Sequence, residues 1–286
     1  MSFYVPRPGD ILSHDIADYP EGIVLPVDKP YRWTSADVIR KLKWKAIRHF
    51  GKKNLKVGHA GTLDPLATGI LLVCIGDACK KAQMLQDHDK EYIAGIRFGA
   101  TTPSYDLEKD VDRRFPCEHI TADAVRNALP AFLGEQEQVA PLFSAKSVDG
   151  VRAYELARKL YRTGRTDELD ATALDSLQRN KINISDLELL EFEAEEVLSP
   201  EAPEGSGEST SSASNRINVA DTSGLGLPEA RVRIACSKGT YIRAFARDLG
   251  EALGSGAHLS SLVRSRSGDF TNKDALSLEQ ALSLFD

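Results

Sequence analysis

Hydrophobic and polar positions along the chain fall into runs of two periods, and the switches between them mark its elements. Ile23-Val24-Leu25-Pro26-Val27 is a short apolar run that reads as a strand. Pro26 has no N–H to give a ladder, so that strand is placed at a sheet edge or a bulge. After a turn at Asp28-Lys29-Pro30, Val38, Ile39, Leu42, Ala46, Ile47 and Phe50 recur at helical spacing. Thr34 or Ser35 supplies the N-cap, because either hydroxyl can accept from the open N–H groups of the first turn. Gly58 to Gly69 is a loop punctuated by Gly61 and Pro65, and Ile70 to Ile75 after it is a buried strand. Asp77 to Asp87 predicts a short helix, and Lys90 to Gly99 alternates as a half-buried strand.

The second half repeats the pattern with longer interruptions. Residues 100 to 119 form a polar loop, and Thr121 caps a helix to about Phe132. Gln138 leads through Ser144-Ala145-Lys146-Ser147 to a turn at Asp149-Gly150, and Ala153 to Arg162 is helical. Residues 179 to 198 and Arg231 to Cys236 alternate as strands, Gly239-Thr240 opens a helix through Leu253, and Leu276 to Leu284 is a last short helix. Pro200 to Asn215 has no large apolar side chain and cannot bury enough to order itself, so it is read as an insertion at about 199–216.

Charge changes the picture only when its distribution is followed. The net charge is -6, which argues against a nucleic-acid partner. Yet nine acids lie between Asp186 and Glu208 with no Lys or Arg among them, and without them the remainder is mildly basic. Between Lys29 and Lys56 the only acid is Asp37, against ten Lys and Arg, a footprint suited to phosphates or simply to a solvated helix face. The four cysteines form no CxxC pair and read as structural thiols. No run has the length of a membrane span or the form of a signal peptide, so a cytoplasmic protein without a membrane partner is expected.

The chemistry is concentrated around one carboxylate. Asp64 is the only acid in the Gly58–Gly69 loop, where a rigid scaffold could aim it, although an Asp before Pro is as often only a turn residue. Dispersed histidines speak against metal hydrolysis, and no GxxxxGK[ST] or GxGxxG run offers a nucleotide cradle. A lone carboxylate, the strand tyrosine Tyr92, Arg243 at the start of a helix and a basic surface suit work on a nucleoside.

Several blocks carry a resemblance: Val27-Asp28-Lys29-Pro30 with Thr34-Ser35, His59 to Gly69, Lys90-Glu91-Tyr92, Thr101-Thr102 with Asp106, Pro141 with Ser144-Ala145, Ser237 to Arg243, and Gly256 to Leu259. In this order they resemble the TruB-type tRNA pseudouridine synthases. The resemblance implies an α+β fold with a mixed, largely antiparallel central sheet flanked by helices, in a single catalytic domain over residues 1–286. It also implies isomerisation of uridine 55 in the T-arm loop of tRNA, breaking the bond from N1 to C1′ and remaking it at C5, with no cofactor or metal.

By this resemblance Asp64 is the catalytic aspartate, acting as nucleophile or as the base that takes a sugar proton. Arg243 is the arginine that pairs with it and would hold it ionised. Tyr92 stacks on the flipped base, with its hydroxyl available for proton loss at C5, and His59 sits at the flipped-out nucleotides. Lys29 is structural or phosphate-facing. Arg40 and Lys43 on the basic helix, with Arg264 and Arg266, are expected to hold the arm by its phosphates. Extruding the base costs a few kcal/mol, and stacking returns about 1–3 kcal/mol of it.

Two departures stand out. Arg32 occupies a place where the family usually has glycine, which alters the turn or adds a phosphate contact. No room is left after Gly268 for the family's common C-terminal PUA domain, so no guide RNA is expected; a monomer is the expectation for the assembly. A tRNA-binding or tRNA-folding protein without catalysis is the reading from another class, disfavoured by Asp64, Tyr92 and Arg243 occurring together.

Overall fold

Strand β1, Ile23–Lys29, forms the edge of the sheet, as Pro26 requires, pairing antiparallel with β3, Thr68–Ile75, with Pro26 opposite Leu72. The computed structural model describes residues 3–141, 147–148, 151–152, 179–194 and 217–286. On the outer side of β1 the Leu276 N–H donates to the Pro26 carbonyl at 2.8 Å and Tyr4 bridges to Ile23, which covers an edge that would otherwise template further pairing.

The other strands of this nine-stranded sheet are β2 (Val57–Ala60), β4 (Lys90–Phe98), β5 (Gly134–Val139), β6 (Arg179–Glu193), β7 (Glu229–Cys236), β8 (Ala257–Ser267) and β9 (Phe270–Thr271). They hydrogen-bond in the order β1-β3-β8-β4-β7-β6-β5, with β2 on β3 and β9 on β8. The pairs β1–β3, β2–β3, β6–β7, β5–β6 and β8–β9 are antiparallel, whereas β8 runs parallel to β3. Among the described residues the α-helices are α1 (Ser35–His49), α2 (Ala82–Asp87), α3 (Ala122–Ala128), α4 (Ile242–Ala252) and α5 (Leu278–Ser283). This is the mixed, mostly antiparallel α+β architecture the resemblance implied. No helix among the described residues is long and apolar enough to cross a membrane.

The described chain divides into two compact units. The first holds residues 3–93, Ile217 and 262–286. Its core joins Val24, Ala60, Ile70, Leu72 and Cys74 from the strands with Ala78 and Leu85. The α1 stripe of Val38, Leu42 and Ala46 is buried as its spacing dictates. Of the two hydroxyls offered as N-cap, Thr34 takes the role: it accepts from the Asp37 N–H at 3.1 Å while Asp37 accepts from the Thr34 N–H at 3.2 Å, a capping box. The second unit holds the other described residues, with Val232, Ile234, Phe245 and Leu249 buried and Phe132 edge-on to Phe245 at 5.4 Å.

Several boundaries differ from the sequence reading. Val57–Ala60 is a strand, which places His59 on a ladder opposite Val73 and shortens the loop. Its glycine and imidazole carry no alternating pattern, so pairing to β3 decides its form. The basic stretch at 258–268 is likewise mostly strand β8. Asp77–Asp87 begins as a 3-10 turn, Gly76–Lys81, before α2. The expected helix at 153–162, the turn at Asp149-Gly150 and the insertion at 199–216 lie outside the described residues. All four cysteines are free thiols.

Candidate active site

Asp64 stands in the short connection between β2 and β3, and both ends of that connection need glycine. Gly61 has φ +93° and Gly69 has φ +90°. At Gly69 a side chain is excluded outright, because its Cβ would stand 2.3 Å from the Arg264 carbonyl oxygen. That approach follows from the parallel pairing of β8 on β3, which puts Arg264 opposite Gly69. Between the glycines the Ala67 N–H donates to the Asp64 carbonyl at 3.1 Å, so Asp64 opens a tight turn and stays half-buried.

Residues on both sides of Asp64 are held by three side chains. Ser35, the first residue of α1 and buried, accepts from the Leu63 N–H at 2.9 Å and donates to the Leu63 carbonyl at 3.1 Å. Lys29 is 0 % exposed and donates to the carbonyls of Pro30 (3.0 Å), Trp33 (2.6 Å) and Pro65 (3.1 Å). Arg264 is 1 % exposed; its Nε donates to the Ile70 carbonyl at 2.7 Å and its Nη2 to the Gly61 carbonyl at 3.1 Å, with Nη1 3.4 Å from the Thr62 carbonyl. Asp28 adds an acceptor for the Gly69 N–H at 2.9 Å. Backbone groups that a loop would leave to water are thus paired internally, which fixes the path that aims the carboxylate.

Two titrating groups flank this loop. Burial pulls the Lys29 ammonium down to about 7, opposed by the carboxylates of Asp64 and Asp28. Burial, reinforced by the Arg264 charge, also lowers the His59 imidazole, which keeps that ring neutral. Its Nδ1 is buried without a hydrogen-bond partner among the described residues.

The other residues singled out from sequence sit on β4, α4 and α1. Tyr92 is the third residue of β4, half-buried, on a strand whose start is anchored by Lys90 donating to the Gln86 and His88 carbonyls. Arg243 lies in the second unit, in the first turn of α4; its Nη1 donates to the Ser104 carbonyl at 3.1 Å and its Nε is 3.8 Å from Asp106 Oδ2. Asp106 is buried there and accepts from Ser104 Oγ at 2.6 Å and the Glu108 N–H at 2.9 Å. Arg40 and Lys43 are exposed on α1, Arg40 with Asp37 at 2.7 Å.

Arg264 corrects the expectation of a phosphate contact, and of the two readings of Lys29 the structure favours the structural one. Each buries its charge among carbonyls, and neither could reach a phosphate without abandoning those acceptors. Arg266 is half-buried, 3.4 Å from the Gly268 carbonyl. Arg32 takes the left-handed φ of +62° that a glycine would accept without strain, and its Nη2 donates to the Ile217 carbonyl at 2.6 Å. Sequence reasoning offered Ser35 only as an alternative N-cap and gave Asp106 no role, although both lie inside quoted blocks. Among the described residues no group of three His, Cys, Asp or Glu could hold a metal ion.

Residues 48–242 match the TruB family pseudouridylate synthase N-terminal domain, and residues 243–285 match the tRNA pseudouridylate synthase B C-terminal domain. The chain is 46% identical over 262 residues to a protein of Phocaeicola vulgatus named tRNA pseudouridine synthase B, covering 92% of each. It is 40% identical over 261 residues to a protein of that name from Thermus thermophilus, covering 91% of this chain and 75% of that one. A chain of a Cbf5-Nop10-Gar1 complex shares the fold with TM-score 0.57 at 23% identity, and one from an H/ACA RNP bound to a substrate RNA containing 2′-deoxyuridine does so with TM-score 0.55 at 22%. These alignments cover 92% of this chain but only about half, 54% and 53%, of those chains.

Proposed function

Because the chain belongs to the TruB family of pseudouridylate synthases, we propose that it isomerises uridine 55 in the T-arm loop of tRNA to pseudouridine, in the cytoplasm, as a monomer without guide RNA. The observation that carries the reading is the immobilised loop: a single half-buried carboxylate whose neighbours on both sides are clamped by Ser35, Lys29 and Arg264. Such rigidity suits a group that must meet one sugar of one extruded nucleotide.

In this mechanism the uridine leaves its stack and lies against the ring of Tyr92. Asp64 acts on the ribose as nucleophile or base while the bond from C1′ to N1 breaks. The base turns, C5 bonds to C1′, C5 loses its proton and N1 gains one, so the reaction balances without a second substrate. Arg243, itself oriented by Ser104 and Asp106, pairs with the Asp64 carboxylate. The neutral His59 ring packs against nucleotides displaced from the loop. Arg40 and Lys43 contact the arm's phosphates.

The test uses purified protein and an unmodified T-arm stem-loop transcript. Wild type forms pseudouridine at the expected position. Asp64→Asn binds equally and forms none, and Tyr92→Leu is slower than Tyr92→Phe because it also loses stacking. Turnover by Asp64→Asn at the wild-type rate refutes the mechanism.

A further inference from the structure

The outer face of α1 carries a feature that the catalytic loop does not use. Arg40, Trp44 and Arg48 follow one another at four-residue spacing, so they line one side of the helix, each step rising about 6 Å. Trp44 is 56 % exposed, although a side chain of that size is usually well covered. The Arg48 guanidinium lies 4.6 Å over its ring. Nearer the helix start Lys41 stands 5.3 Å over the Trp33 ring, and Tyr31 is exposed. Val38, Leu42 and Ala46 fill the buried stripe, so Trp44 is not a core residue.

The charge around Trp44 identifies the partner. Lys41, Lys43 and Arg48 flank it on the helix, and Lys52 and Lys53 follow just beyond. Among the described residues the acids that pair with α1 side chains are Asp37, at Arg40, and Asp286, at Lys45. A protein interface would surround an anchoring indole with apolar neighbours and few charges. An indole ringed by cations instead suits a nucleobase face with phosphates on either side.

We propose that the Arg40–Trp44–Arg48 stripe is a second RNA site, where an unpaired nucleotide of the substrate stacks on Trp44 while Arg40 and Arg48 hold its flanking phosphates. This rests on the reading that the substrate is a tRNA. The stripe is coupled mechanically to the catalytic loop: Ser35 at the start of the same helix clamps Leu63, and Trp44 lies nine residues further, about 14 Å along the axis. RNA gripped there is held at a set distance from Asp64.

The chain has two tryptophans, so Trp33→Phe leaves Trp44 as the only indole reporter while keeping the backbone carbonyl that Lys29 uses. Titration with an unmodified tRNA transcript is expected to quench its emission. Trp44→Ala raises the Kd for that tRNA by about 5-fold or more, the low end for one base on an aromatic ring. It leaves the salt dependence of binding unchanged, because it removes no charge. Arg48→Ala lowers the slope of log K against log salt by about one. Unquenched Trp44 emission, with a Kd for Trp44→Ala equal to wild type, overturns the proposal and leaves the stripe to a protein partner. Failure of wild type to form any pseudouridine in tRNA overturns the functional reading instead, so the two failures are distinct.

Discussion

Thr34 and Ser35 are adjacent hydroxyls whose removal should have unlike consequences. Thr34→Ala deletes the helix cap, at a cost of about 1 kcal/mol. Ser35→Ala removes both partners of Leu63, whose buried N–H and carbonyl are then left unpaired. Each such group costs about 1–3 kcal/mol, and relief from burying the hydroxyl returns part of it, so the net loss is about 2–5 kcal/mol. In a domain of this size that lowers the Tm by about 4–20 °C, against about 2–4 °C for Thr34→Ala. The catalytic effect should differ more. Leu63 precedes Asp64, and a shift of about 1 Å at a reacting group slows chemistry about 100-fold. Thermal unfolding with single-turnover pseudouridine formation on saturating tRNA transcript measures both. Ser35→Ala with the stability of Thr34→Ala and a rate within about 2-fold of wild type would show that the serine does not position the carboxylate.

Two other perturbations follow from the same loop. Lys29 is charged up to 10.5 when unfolded but only to about 7 when folded, so between those values the unfolded chain binds the extra proton. Its contribution to stability is therefore lost as pH falls through about 7 and grows toward 10.5, by about 1.4 kcal/mol per unit. Urea unfolding should show wild type gaining on Lys29→Met between about pH 7 and 9; a constant gap would mean that the three carbonyls keep the ammonium charged. Gly69→Ala forces a Cβ to 2.3 Å from the Arg264 carbonyl at φ +90° and should lose about 3 kcal/mol or more in thermal unfolding, whereas Gly58→Ala, with open space around it, should stay within about 0.5 kcal/mol.

Much of the local architecture was legible in the chain because it depends on near neighbours. Pro26 marks an edge strand through its missing N–H, the stripe of Val38, Leu42 and Ala46 marks a helix, and the glycines around Asp64 mark a turn. What the sequence could not assign was which distant group meets which. Arg264 and Lys29 look like phosphate ligands from composition, since a cation in a basic stretch has no visible partner. Only the parallel pairing of β8 on β3 brings Arg264 to the carbonyls of Gly61 and Ile70, and only the register of β1 on β3 sets Lys29 beside Gly69. His59 was placed on a strand by pairing that no alternation announced.

The chain by itself determined the carboxylate and its turn, because turn chemistry is written in a few consecutive residues. The tertiary structure decided that this turn is rigid, because the donors and acceptors that fix it come from α1, β1 and β8, up to 203 positions away in sequence. Backbone groups removed from water must find partners wherever the fold presents them, and only the assembled sheet presents them here.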